Sequence, residues 1–358
     1  MAGVYISYPF CAQKCTYCNF ASGVFPRELE TRYMETLLGE LREAAWPWTP
    51  ETVYLGGGTP SQMDTESLAA VLKAIPGKWA EATIEAAPGN LTVEKIAVWK
   101  SAGINRVSLG VQSFNQKELA RTGRRHTAEV VEREIALLRA AGIESINVDL
   151  IAGLPGQTLA SWTASLDWIE RLSVPHVSVY MLEVDEDSRL GRELLVLGSR
   201  YGAGDVPNED AIADFYELAV ERLARLGIER YEISNFARAG FESRHNLKYW
   251  KREPYLGFGA DAHSFDGEMR WRNPENAAEY VAGHVADQRQ IERTPADALG
   301  EPFFLGLRLR EGVESNAFPE IIERFVGEGL LERAGSRVRL TSRGVLLSNE
   351  VFAEFIAP

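Results

Sequence analysis

Three stretches of this chain repeat one grammar: an amphipathic helix, a glycine, an isoleucine and a short apolar strand. They are Thr92–Ala102 with Gly103-Ile104 and Arg106–Gly110, Glu129–Ala141 with Gly142-Ile143 and Ser145–Asp149, and Asp210–Leu226 with Gly227-Ile228 and Tyr231–Asn235. Glycine suits the left-handed turn that ends a helix, because it has no Cβ to clash. A helix that hands the chain to a new strand again and again is the crossover unit of a β/α fold. Further strands are expected at Val4–Tyr8, Thr52–Leu55, Ala82–Ala86 and His176–Met181. Between them, Leu68, Val71, Leu72 and Ile75 share one face of a helix over Asp64–Ile75. Thr92 is a natural N-cap for the helix that follows it. Through Met181 the order is strand then helix, about six times. A partial (β/α)6 TIM-like barrel fits this rhythm, and so does an open doubly wound sheet. The polar strand ends described below favour the barrel.

After Met181 the rhythm changes. Gly191–Asn208 is rich in glycine and polar residues and reads as an ordered loop. Ala296–Leu309 reads as helix, Pro319–Leu331 as an amphipathic helix, Val338–Leu340 as a short strand and Ser342–Ile356 as helix. That tail suggests a smaller α/β C-terminal domain, either winged-helix-like or a cap on the main one. The expected division is residues 1–235 for the barrel and 236–358 for the second domain.

Three cysteines are the whole complement of the 358 residues, and all lie between positions 11 and 18. An odd, tightly packed set is no disulfide framework; in a reducing compartment it reads as a metal site. The start of the chain has no basic segment before a long apolar core, and no run of 18 apolar residues occurs. A cytoplasmic protein is therefore expected. With 38 Lys and Arg against 51 Asp and Glu, the formal charge is −13, which argues against a nucleic-acid partner.

Cys11, Cys15 and Cys18 stand at CxxxCxxC spacing just after the first strand. Three thiolates on a four-iron cube leave one iron open for a small ligand. Zinc with a histidine as fourth ligand, or three buried thiols without metal, are the competing readings. Gly56-Gly57-Gly58-Thr59-Pro60 follows the second strand, where missing side chains let backbone amides approach a ligand, or simply make a tight turn. Glu85, Gln112 and Asp149 lie at or just after the ends of the third, fourth and fifth strands. Singly each reads as a turn or capping residue; together they converge on one barrel mouth.

This set of motifs resembles the radical-SAM superfamily, and within it the coproporphyrinogen-oxidase-like branch. The resemblance implies a [4Fe–4S] cluster on Cys11, Cys15 and Cys18, with S-adenosylmethionine (SAM) on the open iron. It also implies SAM contacts from Tyr5, Tyr17, Gly57, Gly58, Thr59, Glu85, Gln112, Arg124 and Asp149, with Arg124 suited to the SAM carboxylate. In the superfamily one electron from the cluster cleaves SAM to an adenosyl radical; the resemblance allows that activity here.

Two members of the branch come into question. The oxygen-independent coproporphyrinogen III oxidase type has a further cysteine two residues after the third, where this chain has Phe20, and a longer stretch before the motif. The HemW-type heme chaperones carry HNxxYW, present as His245-Asn246-Leu247-Lys248-Tyr249-Trp250. Tyr231–Phe236, Leu256–Ser264 and Leu305–Arg310 also resemble that group. The resemblance implies heme bound at His245, Asn246, Tyr249 and Trp250, and heme passed to an acceptor protein, membrane-bound or not. A neutral imidazole can ligate heme iron, and aromatic faces can hold a porphyrin; the same residues also read as a structural histidine beside a core aromatic pair. His263 is a second, weaker histidine that could equally cap a turn. A second copy of the chain is a further expected partner, and a radical-SAM enzyme acting on RNA is a third reading that the acidic charge counts against.

Overall fold

The computed structural model describes residues 2–293 and 299–356. Six parallel strands are laid down in sequence order: β1 (Ala2–Tyr8), β2 (Pro50–Gly57), β3 (Glu81–Ala86), β4 (Arg106–Gln112), β5 (Ser145–Ala152) and β6 (His176–Met181). The helices Arg27–Glu43, Thr65–Ala74, Val93–Ser101, Ala128–Ala140 and Leu159–Leu172 cross between them. Thr92 caps the third of these, its hydroxyl accepting from the Lys95 N–H at 3.2 Å. Gly103 and Gly142 end their helices at φ +103° and +75°, conformations a side chain would strain.

The strands alternate along most of their length. One face carries Val4, Ile6, Val53, Leu55, Ile84, Val107, Leu109, Ile146, Val148, Val177 and Val179, all buried in the helix-covered core. Register places the other residues side by side: Tyr5 against Tyr54, Glu85 against Ser108, Ser108 against Asn147, Asp149 against Ser178. A parallel sheet covered by helices on both faces would be apolar on both. The polar second face therefore marks an inner, working surface, and Glu85, Asp149 and Tyr180 from three strands are close enough to influence one another across it. This is the partial barrel.

The sheet crosses position 235. β7 (Glu229–Arg230) and β8 (Asn235–Ala237) form a hairpin, and β8 pairs antiparallel with β6. On the opposite edge β9 (Tyr255–Phe258) pairs parallel with β1, and β10 (His263–Phe265), β11 (Arg270–Arg272) and β12 (Gln290–Arg293) extend it antiparallel. A separate three-stranded sheet, β13 (Val313–Glu314), β15 (Arg337–Leu340) and β14 (Leu331–Ala334), packs with helices Pro319–Gly327, Ser342–Leu346 and Ser348–Ile356.

Three expectations change. The strand expected at Tyr231–Asn235 is a turn, because buried Glu232 accepts from the Ser234 N–H at 3.0 Å and from the Asn235 amide, folding the backbone back on itself. The polar segment Gly191–Asn208 is not a loop throughout: Ser188 caps a helix at Arg189–Leu195, and a short 3-10 segment follows at Arg200–Asp205. In the expected helix over Ala296–Leu309, residues 296–298 lie outside the described residues, and helix is present at Glu301–Gly306.

Candidate functional site

The ends of β1 and β2 bring the cysteine loop and the glycine loop together. The Gly58 N–H donates to the Tyr8 carbonyl at 2.8 Å, and the Thr59 N–H to the Phe10 carbonyl at 3.0 Å. A Cβ on Gly58 would sit 2.8 Å from the Phe10 oxygen, so only glycine lets these backbones touch. The Thr59 hydroxyl reaches the Cys11 sulfur at 3.5 Å. Cys11, Cys15 and Cys18 are free thiols, partly exposed on the loop. Among the described residues no three Cys, His, Asp or Glu side chains converge as around a single ion. Thiols that each serve a separate iron of a cube need no such convergence. Arg124 and Tyr17 lie beside Cys15, and Arg124 donates to the Gly110 carbonyl at 2.6 Å.

Gln112 follows a bulge in β4 and takes φ +70°, a left-handed conformation that non-glycine residues adopt rarely. Asp149 accepts from Asn147 at 2.7 Å and from Ser108 at 3.2 Å. Burial pushes its carboxyl above the ordinary value. Glu85 accepts from the Tyr54 hydroxyl at 2.8 Å. Burial, offset in part by that bond, pushes Glu85 up to about 7. The structure thus gathers Tyr5, Glu85 and Asp149 in the lumen and Gly57, Gly58, Thr59 and Tyr17 at its cysteine rim. The sequence reading missed Tyr54, Ser108, Asn147 and Ser178, which hold these carboxylates. The signal that would have found them is the polar half of the strand alternation.

Glu85 makes a testable pH effect. Its ordinary value is 4.5 and its folded value about 7, so between those pH values the folded chain holds a proton the unfolded chain has lost. Its contribution is complete below 4.5 and is lost as pH rises through 7. Wild type should therefore lose stability over this window relative to Glu85→Gln, by up to about 1.4 kcal/mol per pH unit. Urea unfolding of both proteins across the window measures it; parallel curves would remove the protonated carboxyl.

The opposite end of the barrel is closed by helix Arg244–Trp250. Glu81 on β3 accepts the Arg244 and His245 N–H groups, each at 3.0 Å. Ser243 caps the Asn246 N–H at 3.3 Å. His245 is 0% exposed. Its Nδ1 bonds the Thr52 hydroxyl at 2.8 Å and its Nε2 the Tyr249 hydroxyl at 2.8 Å. Burial pushes the ring down to about 3, keeping it neutral. An iron ligand needs an available ring nitrogen; in this arrangement both nitrogens of His245 are engaged. The ring instead fixes Tyr249 and stacks on Tyr54, 5.2 Å away.

Tyr249 and Trp250 face a cavity of about 800 Å³. Its wall also includes Tyr5, Tyr255, Asp261, His263, Arg270 and Glu292, with Phe304 and Phe355 from the C-terminal helices. The Trp250 indole N–H is buried without an acceptor among the described residues. The sequence reading missed Tyr255, Arg270 and Glu292, which carry no motif spacing. Among the described residues no helix is long and apolar enough to cross a membrane.

Comparison with known proteins adds the family context. Residues 5–169 match the Radical SAM superfamily, and residues 294–347 match the HemN C-terminal domain. The heme chaperone HemW of Lactococcus lactis is 34% identical, covering 98% of this chain and 96% of its own. That of Bacillus subtilis is 35% identical, covering 99% of both, and that of Escherichia coli is 31% identical, covering 99% and 98%. The fold of the radical SAM enzyme coproporphyrinogen III oxidase (HemN) from Escherichia coli superposes with a TM-score of 0.84 over 99% of this chain and 90% of that one, at 20% identity.

Proposed function

Since the chain belongs to the heme chaperone HemW family of radical SAM proteins, we propose that it binds heme in the aromatic cavity and passes it to an acceptor protein. The cavity carries the reading: its volume of about 800 Å³ and its aromatic wall suit a flat, largely apolar macrocycle. Tyr249 and Trp250 supply faces for the ring, and Asn246 belongs to the same helix. His245 acts as a positioning residue, holding Tyr249 through its Nε2.

At the other end of the lumen Cys11, Cys15 and Cys18 would hold a [4Fe–4S] cluster. The chemistry of the donor set fits: three thiols on a loop, with a glycine-built backbone packed beneath them. When bound, the cluster supplies single electrons. SAM would sit between Gly57, Gly58 and Thr59 at the rim and Tyr5, Glu85 and Asp149 in the lumen, with Tyr17, Gln112 and Arg124 beside them. Carboxylates suit its ribose hydroxyls and ammonium, and the Arg124 guanidinium suits its carboxylate. The protein works in the cytoplasm, where thiols stay reduced.

The test is anaerobic titration of the cluster-loaded protein with heme and with SAM, following absorbance and porphyrin products together. Saturable heme binding without a decarboxylated product is expected. Decarboxylation of coproporphyrinogen with reductant and SAM would overturn the chaperone reading in favour of an oxidase.

A further inference from the structure

The chain has five histidines, all among the described residues. His126, His176 and His245 are buried, at 8%, 1% and 0% exposure. His284 lies on the outer surface, paired with Glu43 and Asp287. Only His263 lines the aromatic cavity.

Its placement is built by the backbone. Gly257 on β9 lies on the inner face beside Tyr5, and a Cβ there would run into the His263 carbonyl. The Gly257 N–H donates to the Ser264 hydroxyl at 2.9 Å. The tight return from β9 to β10 thus delivers His263 to the cavity wall. The His263 side chain is 47% exposed, and its Nδ1 lies 2.7 Å from a Glu292 carboxylate oxygen. An ionised carboxylate only accepts, so Nδ1 carries the proton. In the neutral ring the lone pair is then on Nε2, which has no protein partner among the described residues. A carboxylate behind the protonated nitrogen raises the basicity of the other and fixes the ring, the arrangement found behind metal-bound histidines.

We propose that His263, held by Glu292, is the axial ligand to the iron of heme bound in this cavity. The inference rests on the heme reading and names the ligand within it. Tyr249, Trp250 and Tyr255 would bound the macrocycle. The unpartnered Trp250 N–H offers a donor for its carboxylates, beside the Arg270 guanidinium, whose Nε donates to Glu301 at 2.7 Å and Nη1 to Tyr255 at 2.9 Å.

The full-length, cluster-loaded protein is titrated with hemin, following the Soret band and the ferric-heme EPR signal. His263→Ala is expected to lower hemin affinity at least about ten-fold, since a lost coordinate bond exceeds the 1.4 kcal/mol that ten-fold represents. It should also shift both spectra, and free imidazole should restore them. His263→Gln keeps a partner for Glu292 and should lose the same spectral signature, so a folding defect in the alanine variant does not decide the matter. Glu292→Gln should leave hemin bound and change the EPR anisotropy. If wild type binds hemin and both His263 variants give unchanged Soret and EPR spectra, the ligand assignment is wrong while the heme reading stands. If wild type takes up no hemin, the heme reading fails and the assignment with it.

Discussion

Replacing Cys11, Cys15 and Cys18 together with alanine is expected to take the iron and acid-labile sulfide of the anaerobically reconstituted protein from stoichiometric to background, with loss of the brown four-iron absorbance. The reason is ligand supply. These three are the only cysteines in the chain, and among the described residues no other thiol or carboxylate cluster offers a replacement. A cube bound by three thiolates has no redundant ligand, so single substitutions should also be severe. The fold should survive: the thiols are partly exposed and sit on a loop beyond β1, outside the helix-covered core. A melting temperature within a few degrees of wild type would separate loss of ligands from loss of structure. Stoichiometric zinc without sulfide in the wild-type protein would sink the assignment at once.

Glu40→Ala is expected to be severely destabilising, more so than substitution of Glu85 or His263. Glu40 lies in helix Arg27–Glu43, its side chain 3% exposed, and four groups converge on it. The Gly259 N–H donates at 3.0 Å, Asn273 at 2.8 Å, Tyr280 at 2.7 Å and Arg289 at 3.2 Å. Gly259, Asn273 and Tyr280 are themselves buried or closely packed, so removing the carboxylate leaves donors with nothing to bond and a guanidinium without its counter-charge. Leaving buried donors unsatisfied costs about 1–3 kcal/mol each, and the partly exposed Arg289 adds less than a buried partner would. The denaturation midpoint of the alanine variant measures it. Glu40→Gln keeps the shape and one acceptor oxygen and should recover part of the loss. A midpoint unchanged in Glu40→Ala would mean the network is not a support of the β1–β9 edge.

The barrel was legible because its signals are local. Gly103 and Gly142 each close a helix within a few residues of the next strand, and Thr92 caps the helix that starts at the next residue. The cysteine and glycine motifs were legible for the same reason, each being a short run at a strand end. What the sequence hid depends on contacts that no motif spacing announces, one of them local and the others made over long separations. Glu232 turns the chain between β7 and β8, yet Tyr231–Asn235 has the apolar and aromatic content of a strand. His245 carries a motif that suggests an available imidazole, but Thr52, 193 residues away, takes one of its nitrogens. Glu292 reaches His263 across 29 residues from a strand with no motif at all. The polar alternation of β2 to β6 was present in plain view and would have named Tyr54, Ser108, Asn147 and Ser178. It reads as half-exposed strands until the curvature of the sheet turns that face inward.

Tyr5 is a single ring with two addresses. It stacks 6.1 Å from Tyr54 over the lumen, and it also forms part of the wall of the aromatic cavity. A party wall cannot be pushed from one room without changing the other. Any guest that tilts this ring from the lumen resizes the neighbouring chamber, and thermodynamics requires the chamber's guest to return the favour or the penalty in equal measure. Where one guest does move this ring, the other is made to take account of it, without a hinge, a lid or a second subunit.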